Sequence, residues 1–295
     1  MSRACLALAT ALLLLCGNAL LGGEPMEAIL VVPDLRILPG VPFDFWVELH
    51  NRSESMRRVR VCAPFEMRLV SGDPIQWTET SDRRTTPRSD FYWSHGGEGV
   101  VQPGETTVLA IPASDGWMAG DFFRDRRLSA PGRRFAIALP LCEQAVGPFG
   151  SPGERSQLMT TEVEIEIVKP TGSDAAVWNL IGETSKHQWT AADIGSPNAR
   201  AMWESVLRDF PGSNYVPYAI LMTSRWLSND GSCLARELRA IQRFSDSPVL
   251  EWLHVEAWRM AGALRLHGVM LAEGAIIRKS KRPTTRLLAF GNERH

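Results

Sequence analysis

The period of the hydrophobic positions changes once along this chain, and the change divides it. From residue 28 to residue 168, short runs alternate apolar and polar residues between Pro, Gly, Asn or Asp, which is the mark of strands. The clearest run is 43–49, where Phe43, Phe45, Val47 and Leu49 share one face. Further strands are expected at 28–32, 57–62, 66–70, 75–78, 106–111, 134–139 and 162–168. In the last of these Val163, Ile165 and Ile167 point inward and Glu162, Glu164 and Glu166 outward. Short strands at this spacing, with no helical stretch between them, predict an antiparallel β-sandwich over residues 24–170.

Residues 171–174 read as a linker, with Ser173 or Asp174 placed to cap a helix. Helical spacing then predicts helices at 174–184, 198–210, 216–227, 232–244, 249–266 and 269–277. In the second, Ala201, Met202, Val206, Leu207 and Phe210 form one apolar stripe. The stretch 206–213 falls on 240–247 with a shift of about 34 residues, the length of one helical hairpin in repeat proteins. Such a hairpin needs a small residue where its helices touch, aromatic anchors beside it and a stop before the next unit. Ala219, Tyr215 with Tyr218, and Phe210-Pro211 fit those places. Helices 216–227 and 249–266 are then expected to frame a groove for a peptide or helix, with Tyr215, Tyr218 and Trp226 on its surface.

Two resemblances follow from these residues. Asn51-Arg52-Ser53 after a strand, Val101-Gln102-Pro103-Gly104-Glu105, and Ala130-Pro131-Gly132-Arg133-Arg134-Phe135 resemble turns of bacterial immunoglobulin-like domains. They are similar to the type found in small proteinase inhibitors of bacilli, which implies an immunoglobulin-like sandwich but transfers no inhibitory loop. The Phe210-to-Ala219 joint resembles tetratricopeptide-like repeats of bacterial envelope proteins and implies protein binding by helical hairpins. Leu253 departs from that pattern where a second unit would repeat Ala219, unless Ala257 serves after a slip. Only about two and a half hairpins fit, fewer than the three or so that a free-standing array needs.

The chain begins with Ser2-Arg3, an apolar run over 4–15 and small residues at Gly17, Ala19, Gly22 and Gly23. These are the parts of a secretory signal peptide over residues 1–23, cleaved near Ala19 or Gly23, and they predict a secreted or periplasmic protein. Leu15 stands before Cys16 where a lipoprotein carries a small residue, which speaks against a lipid anchor. No later stretch is expected to span a bilayer, since 260–277 is interrupted by Arg265, His267 and Glu273.

A net charge of −1 argues against a nucleic-acid partner. Tryptophans fall in both halves and suit two aromatic-rich cores. Beyond the leader, Cys62 and Cys142 both end strand-like runs and are candidates for a disulfide across the sandwich, leaving Cys233 as a small buried apolar residue. Asn51-Arg52-Ser53 fits a glycosylation acceptor as well as a turn. Arg278-Lys279-Ser280-Lys281-Arg282 opens a basic tail over 278–295, which is expected to be solvated, although such a cluster also suits phosphate groups or anionic lipid.

Two long loops carry the candidate binding residues of the first domain: Tyr92 and Trp93 in 79–99, then Trp117, Phe122 and Phe123 in 115–129. Mixed aromatic and arginine loops suit a protein interface. The alternative is that these rings plug one end of the sandwich. For chemistry, the chain has no His-Glu-x-x-His pair, phosphate loop or calcium loop. Gly150-Ser151-Pro152-Gly153 misses a nucleophile elbow because Phe149 stands at the first glycine. Asp90, His95 and Glu98 are the best titratable set in one loop. No cofactor, metal or catalytic residue is expected. The leading expectation is a non-enzymatic exported protein that binds another protein through its helical repeats and sandwich loops. Its rivals are a ligand-binding or inhibitor-like sandwich on a helical platform, and an enzyme with its site between the domains.

Overall fold

The computed structural model describes residues 26–41, 43–61, 66–71, 98–110, 130–146, 152–184, 197–224 and 231–290. They form a mixed β and α fold with strands first and helices after. The strands are β1 (Met26–Val31), β2 (Arg36–Ile37), β3 (Trp46–Asn51), β4 (Arg57–Val61), β5 (Glu66–Ser71), β6 (Glu98–Val101), β7 (Thr106–Ala110), β8 (Arg134–Ala138), β9 (Pro140–Val146), β10 (Pro152–Met159) and β11 (Val163–Ile167). They lie in three sheets of order β1-β3-β7, β10-β9-β4-β6 and β2-β11-β8-β5. Every pairing is antiparallel except β2 with β11.

Period-2 burial closes one core between the sheets. Phe43, Phe45, Val47 and Leu49 meet Met26, Ala28 and Leu30 from β1, Val59 and Val61 from β4, and Ile165 and Ile167 from β11. The outward glutamates of β11 each pair with an arginine on an adjacent strand, Glu164 with Arg134 of β8 and Glu166 with Arg36 of β2, and Glu162, just before β11, reaches Arg68 on β5. All six side chains are well exposed, so each pair contributes at most about 1 kcal/mol. Asn51 is buried rather than presented to solvent. Its Nδ2 donates to the Ser55 and Val101 carbonyls and its Oδ1 accepts from Ser53, so the side chain is consumed in holding the turn.

The β9–β10 hairpin and β6 are absent from the sequence expectations for a physical reason. β9 opens on Pro140, β10 opens on Pro152-Gly153, and Arg155, Ser156 and Gln157 are exposed in succession. No apolar alternation marks such a strand. The strand expected at 75–78 lies outside the described residues.

Seven helices follow among the described residues: α1 (Gly172–Thr184), α2 (Pro197–Asp209), α3 (Val216–Ser224), α4 (Gly231–Arg243), α5 (Leu250–Ala263), α6 (His267–Arg278) and α7 (Pro283–Phe290). Helices α2 and α4 close at Asp209 and Arg243, an offset of 34 residues. The joints after them carry the same bonds. Ser213 N–H donates to the Phe210 carbonyl and Ser247 N–H to the Phe244 carbonyl, both at 3.0 Å. Ala219, expected to be the small residue at the helix contact, is fully buried, as are Leu253 and Ala257 in α5. Gly274 on α6 lies over Trp258 of α5, and a Cβ there would stand 3.3 Å from the indole nitrogen. Cys233 is buried with Leu234, Ala257, Met260 and Ala261.

Two expectations are corrected at the chain's second half. The basic stretch does not start a solvated tail: residues 283–290 form α7, Trp258 and Phe290 stack edge to face at 5.4 Å, and Arg278 lies over the Phe290 ring. Asp174 does not cap its own helix. Its carboxylate instead accepts from Ser213 Oγ (2.6 Å), Asn214 N–H (2.8 Å) and Asn214 Nδ2 (2.8 Å), so it clamps the first helical joint to α1.

Candidate functional site

The described residues of greatest functional interest gather where sheets meet helices. The turn after β2 provides the contact. Gly40 adopts φ +77°, which an L side chain tolerates poorly, and a Cβ there would lie 2.9 Å from the Trp178 ring of α1. That turn carries Leu38 and Val41 into the helical core, beside Val177, Tyr215, Tyr218 and Leu253. Tyr215 is 0% exposed and its hydroxyl donates to the Pro39 carbonyl at 2.9 Å. Burial pushes the Tyr215 phenol above its ordinary range. Tyr218 is 3% exposed, and burial, with Asp34 nearby, raises its phenol too. Neither ring is an exposed binding face, as the sequence reading had it; both are anchors of the seam. Of the groove expected between 216–227 and 249–266, the described part is not an open surface, because α3 is buried along nearly its whole length and α5 on most of its faces; residues 225–227 lie outside the described residues.

Beside Tyr218 stands a polar node centred on Arg282. Its guanidinium donates to Asp34 Oδ2 (3.0 Å) and to the Pro248 carbonyl (2.8 Å), with Asp44 Oδ2 at 3.7 Å and Glu251 Oε1 at 3.9 Å. Thr284 Oγ1 donates to Asp44 Oδ2 at 2.8 Å, and Thr285 Oγ1 to Glu251 Oε2 at 2.6 Å. Ser280 also donates to Glu251. Asp44 Oδ1 is buried without a hydrogen bond of full geometry, although the Phe45 amide lies beside it. Burial raises the Asp44 carboxyl to about 6, against the opposing pull of the Thr284 hydroxyl and Arg282. The node ties α7 and α5 to the segment around β2, across 248 residues of sequence for Arg282–Asp34.

Tyr218 also lines a groove of about 540 Å³ that opens to solvent. Arg36, Leu38 and residues 168–171 form one wall; Asn214, Pro217 and 243–248, from two successive helical joints, form the other. Tyr218 and Phe244 supply apolar floor. Exposed Lys169 and Arg243 are in the lining with Arg36, which also pairs with Glu166 at 3.3 Å. The Arg243 guanidinium lies 5.2 Å over the Phe244 ring. Of the two acids in the lining, Asp174 is engaged by Ser213 and Asn214, which leaves Asp246 facing solvent. Three cations against two acids leave the lining with a small positive excess beside its apolar floor, which can favour an extended chain that carries a carboxylate.

A second titratable cluster lies inside the helices. His254 Nδ1 and Glu273 Oε2 are 2.5 Å apart and buried. Glu237 is 0% exposed and neither of its carboxyl oxygens has a hydrogen-bond partner; the Ser224 hydroxyl lies beside it outside full bonding geometry. Burial raises Glu237 to about 8, and the neighbouring acids Glu256 and Glu273 push the same way, so the group is mostly protonated near neutral pH. None of these residues lines the groove. Among the described residues, no three His, Cys, Asp or Glu side chains converge as a metal-binding set.

Of the other residues singled out from sequence, Tyr92, Trp93, Trp117, Phe122, Phe123, Trp226, Asp90 and His95 lie outside the described residues, as does residue 62. Glu98 opens β6 opposite Arg60. Cys142 carries a free thiol. It sits opposite Arg60 of β4, and the other end of the expected bridge lies outside the described residues. The residues that sequence reasoning missed are Arg36, Lys169, Arg243, Asp34, Asp44, Glu251 and Arg282. Their one sequence signal is the basic run at 278–282, which showed charge but no partner.

No family model matches the chain, and no curated protein matches it. Among solved structures it is similar to Spo0M, the sporulation control protein of Bacillus subtilis, at 11% identity over 55% of this chain and 56% of that one, with a TM-score of 0.21. It is also similar to alpha-2-macroglobulin from Escherichia coli, from domain MG7 to the C terminus, at 10% identity over 91% of this chain and 53% of that one, with a TM-score of 0.25. The chain thus spans little more than half the length of each structure. Among the described residues no helix is long and apolar enough to cross a membrane.

Proposed function

We propose that the chain is a non-enzymatic protein-interaction module whose seam groove grips an extended, acidic segment of a partner protein. The observation that carries this reading is the open groove itself, lined by residues around the strand ends and by two helical joints, with Arg36, Lys169 and Arg243 in its lining. In finer terms the strand region reads as an immunoglobulin-like sandwich and the helices as tetratricopeptide-like hairpins. The 34-residue offset of α2 and α4 and the twin bonds of Ser213 and Ser247 support the second part of that reading. The partner is read as another exported protein, in keeping with the leader expected at 1–23.

The test is site-specific cross-linking. A photoreactive side chain at exposed Ser245, on the groove wall, is expected to capture a discrete protein from native extract, whereas one at exposed Arg155 on β10 is not. Equal capture from both positions would overturn the assignment of binding to the groove.

A further inference from the structure

Helix α6 buries one side only. Glu273, Gly274 and Ile277 face inward. On the opposite face Gly268, Leu271, Ala272, Ala275 and Ile276 follow at helical spacing, and all five are exposed. Leu271 is 65% exposed, Ile276 47%, and Leu266, which leads into the helix, 44%. The outer helix of a repeat array needs a polar outer face to stay solvated, and α6 presents an apolar one.

The exposed charges at the ends of this face are cationic. From residue 257 to residue 290 there are seven Arg and Lys residues and one acid, Glu273, which is buried against His254; of the seven, Arg259 pairs with Glu256 and Arg282 with the seam acids. Arg265, Lys279 and Lys281 are exposed at the two ends of the apolar strip. Arg278 beside them packs on Phe290, and Arg282 is held in the seam node. A second copy docked here would bring like charges together. A nucleic acid would meet the cations and leave the leucine and isoleucine side chains wet. An anionic lipid surface satisfies both parts, taking the apolar strip into the acyl boundary and the cations among the phosphates.

We infer that the outer face of α6, with its basic ends, docks this protein peripherally on an anionic lipid bilayer. Neither feature alone holds a protein on a membrane, whereas an apolar strip and a basic rim together supply two signals.

The experiment is co-sedimentation of the full chain with vesicles of phosphatidylcholine, with and without phosphatidylglycerol. Binding to the anionic vesicles is expected to be at least about tenfold tighter than to phosphatidylcholine alone and to weaken as salt is raised. The exposed double variant Leu271→Glu/Ile276→Glu is expected to lose at least about tenfold in binding, with its melting temperature unchanged. Lys279→Ala/Lys281→Ala is expected to erase most of the preference for anionic vesicles. Four results would overturn the inference. They are no binding of the wild type to anionic vesicles; full binding by L271E/I276E, which would place the contact elsewhere on the chain; a wild-type dimer dissolved by that variant without vesicle binding; and binding of a duplex oligonucleotide that ignores the variant while vesicles stay unbound.

Discussion

The Tyr215 hydroxyl and the Pro39 carbonyl, 176 residues apart in sequence, share a buried hydrogen bond of 2.9 Å. That bond fastens the first helical joint to the turn that leaves β2. Tyr215→Phe keeps the ring but strands the Pro39 carbonyl. The expected loss is about 1–3 kcal/mol in urea unfolding, with the m-value unchanged.

Gly40 serves the same contact through its backbone. Gly40→Ala combines a positive φ with a Cβ driven against Trp178, and both are unfavourable. The expected destabilisation is about 1–3 kcal/mol. Gly104, also at positive φ but with open space around its Cβ position, serves as the control: Gly104→Ala should show the backbone strain without the clash and cost less.

Arg282 holds three carboxylates at the seam. Arg282→Ala leaves buried Asp44 without its cation, and the expected loss is about 3 kcal/mol at neutral pH. The Asp44 carboxyl sits at about 6 against an ordinary value of 3.8, chiefly through burial. A raised carboxyl contributes stability in full below 3.8 and loses it as pH rises through about 6, since the folded state binds the extra proton. Asp44→Asn should therefore flatten the fall in stability between those pH values, a change of about 3 kcal/mol. Chemical unfolding at a series of pH values reads this directly. In the Arg282→Ala background the fall should move to higher pH, because Arg282 lowers the Asp44 value.

Glu237 is the second proton-sensitive group, and its window differs. Burial, then the charges of Glu256 and Glu273, raise it from 4.5 to about 8, so its contribution is complete below 4.5 and lost as pH climbs through about 8. Glu237→Gln removes the titration while keeping the shape. The variant should match the wild type near pH 5 and exceed it above pH 8, as measured by thermal unfolding at both values. A wild-type advantage at high pH would mean that the Glu237 anion has a partner in the fold.

How much of this could be read in advance depends on the range of the interaction. Val47 and Leu49 declared their common face because side chains alternate in a strand, whereas Phe43 and Phe45 lie ahead of β3, which starts at Trp46 rather than at 43, and enter the same core from a stretch where Asp44 is buried as well. The match of 206–213 with 240–247 was visible because a repeated turn needs repeated side chains: Ser213 and Ser247 each accept an amide two residues on, from Tyr215 and Val249. Tyr215 and Tyr218 were recognisable as anchors, but their burial under the 38–41 turn was not, since that contact joins segments far apart in sequence. The node is further from local reach, with Thr284–Asp44 spanning 240 residues. Helix α7 was hidden by its neighbours, because a run of cations before Pro283 reads as solvated chain unless acids elsewhere claim it. The groove belongs to the same class: Lys169, Arg243 and Arg36 look like ordinary surface charges until the fold sets them around one opening.

The shared seam also changes how function should be probed. Leu38 and Val41 belong to the helical core, so cutting the chain near residue 170 would strip that core of part of its cover. Binding is better tested in the full chain with substitutions at exposed positions.

The most direct measurement is quantitative capture from native extract by the wild type and by the double variant Lys169→Glu/Arg243→Glu, after both are shown to unfold at the same denaturant concentration. Both side chains are exposed at the groove, so the variant reverses its charge without opening a core. A discrete protein retained by the wild type and weakened at least about tenfold by the variant is the predicted result. A partner held equally well by both chains would contradict binding at the seam groove.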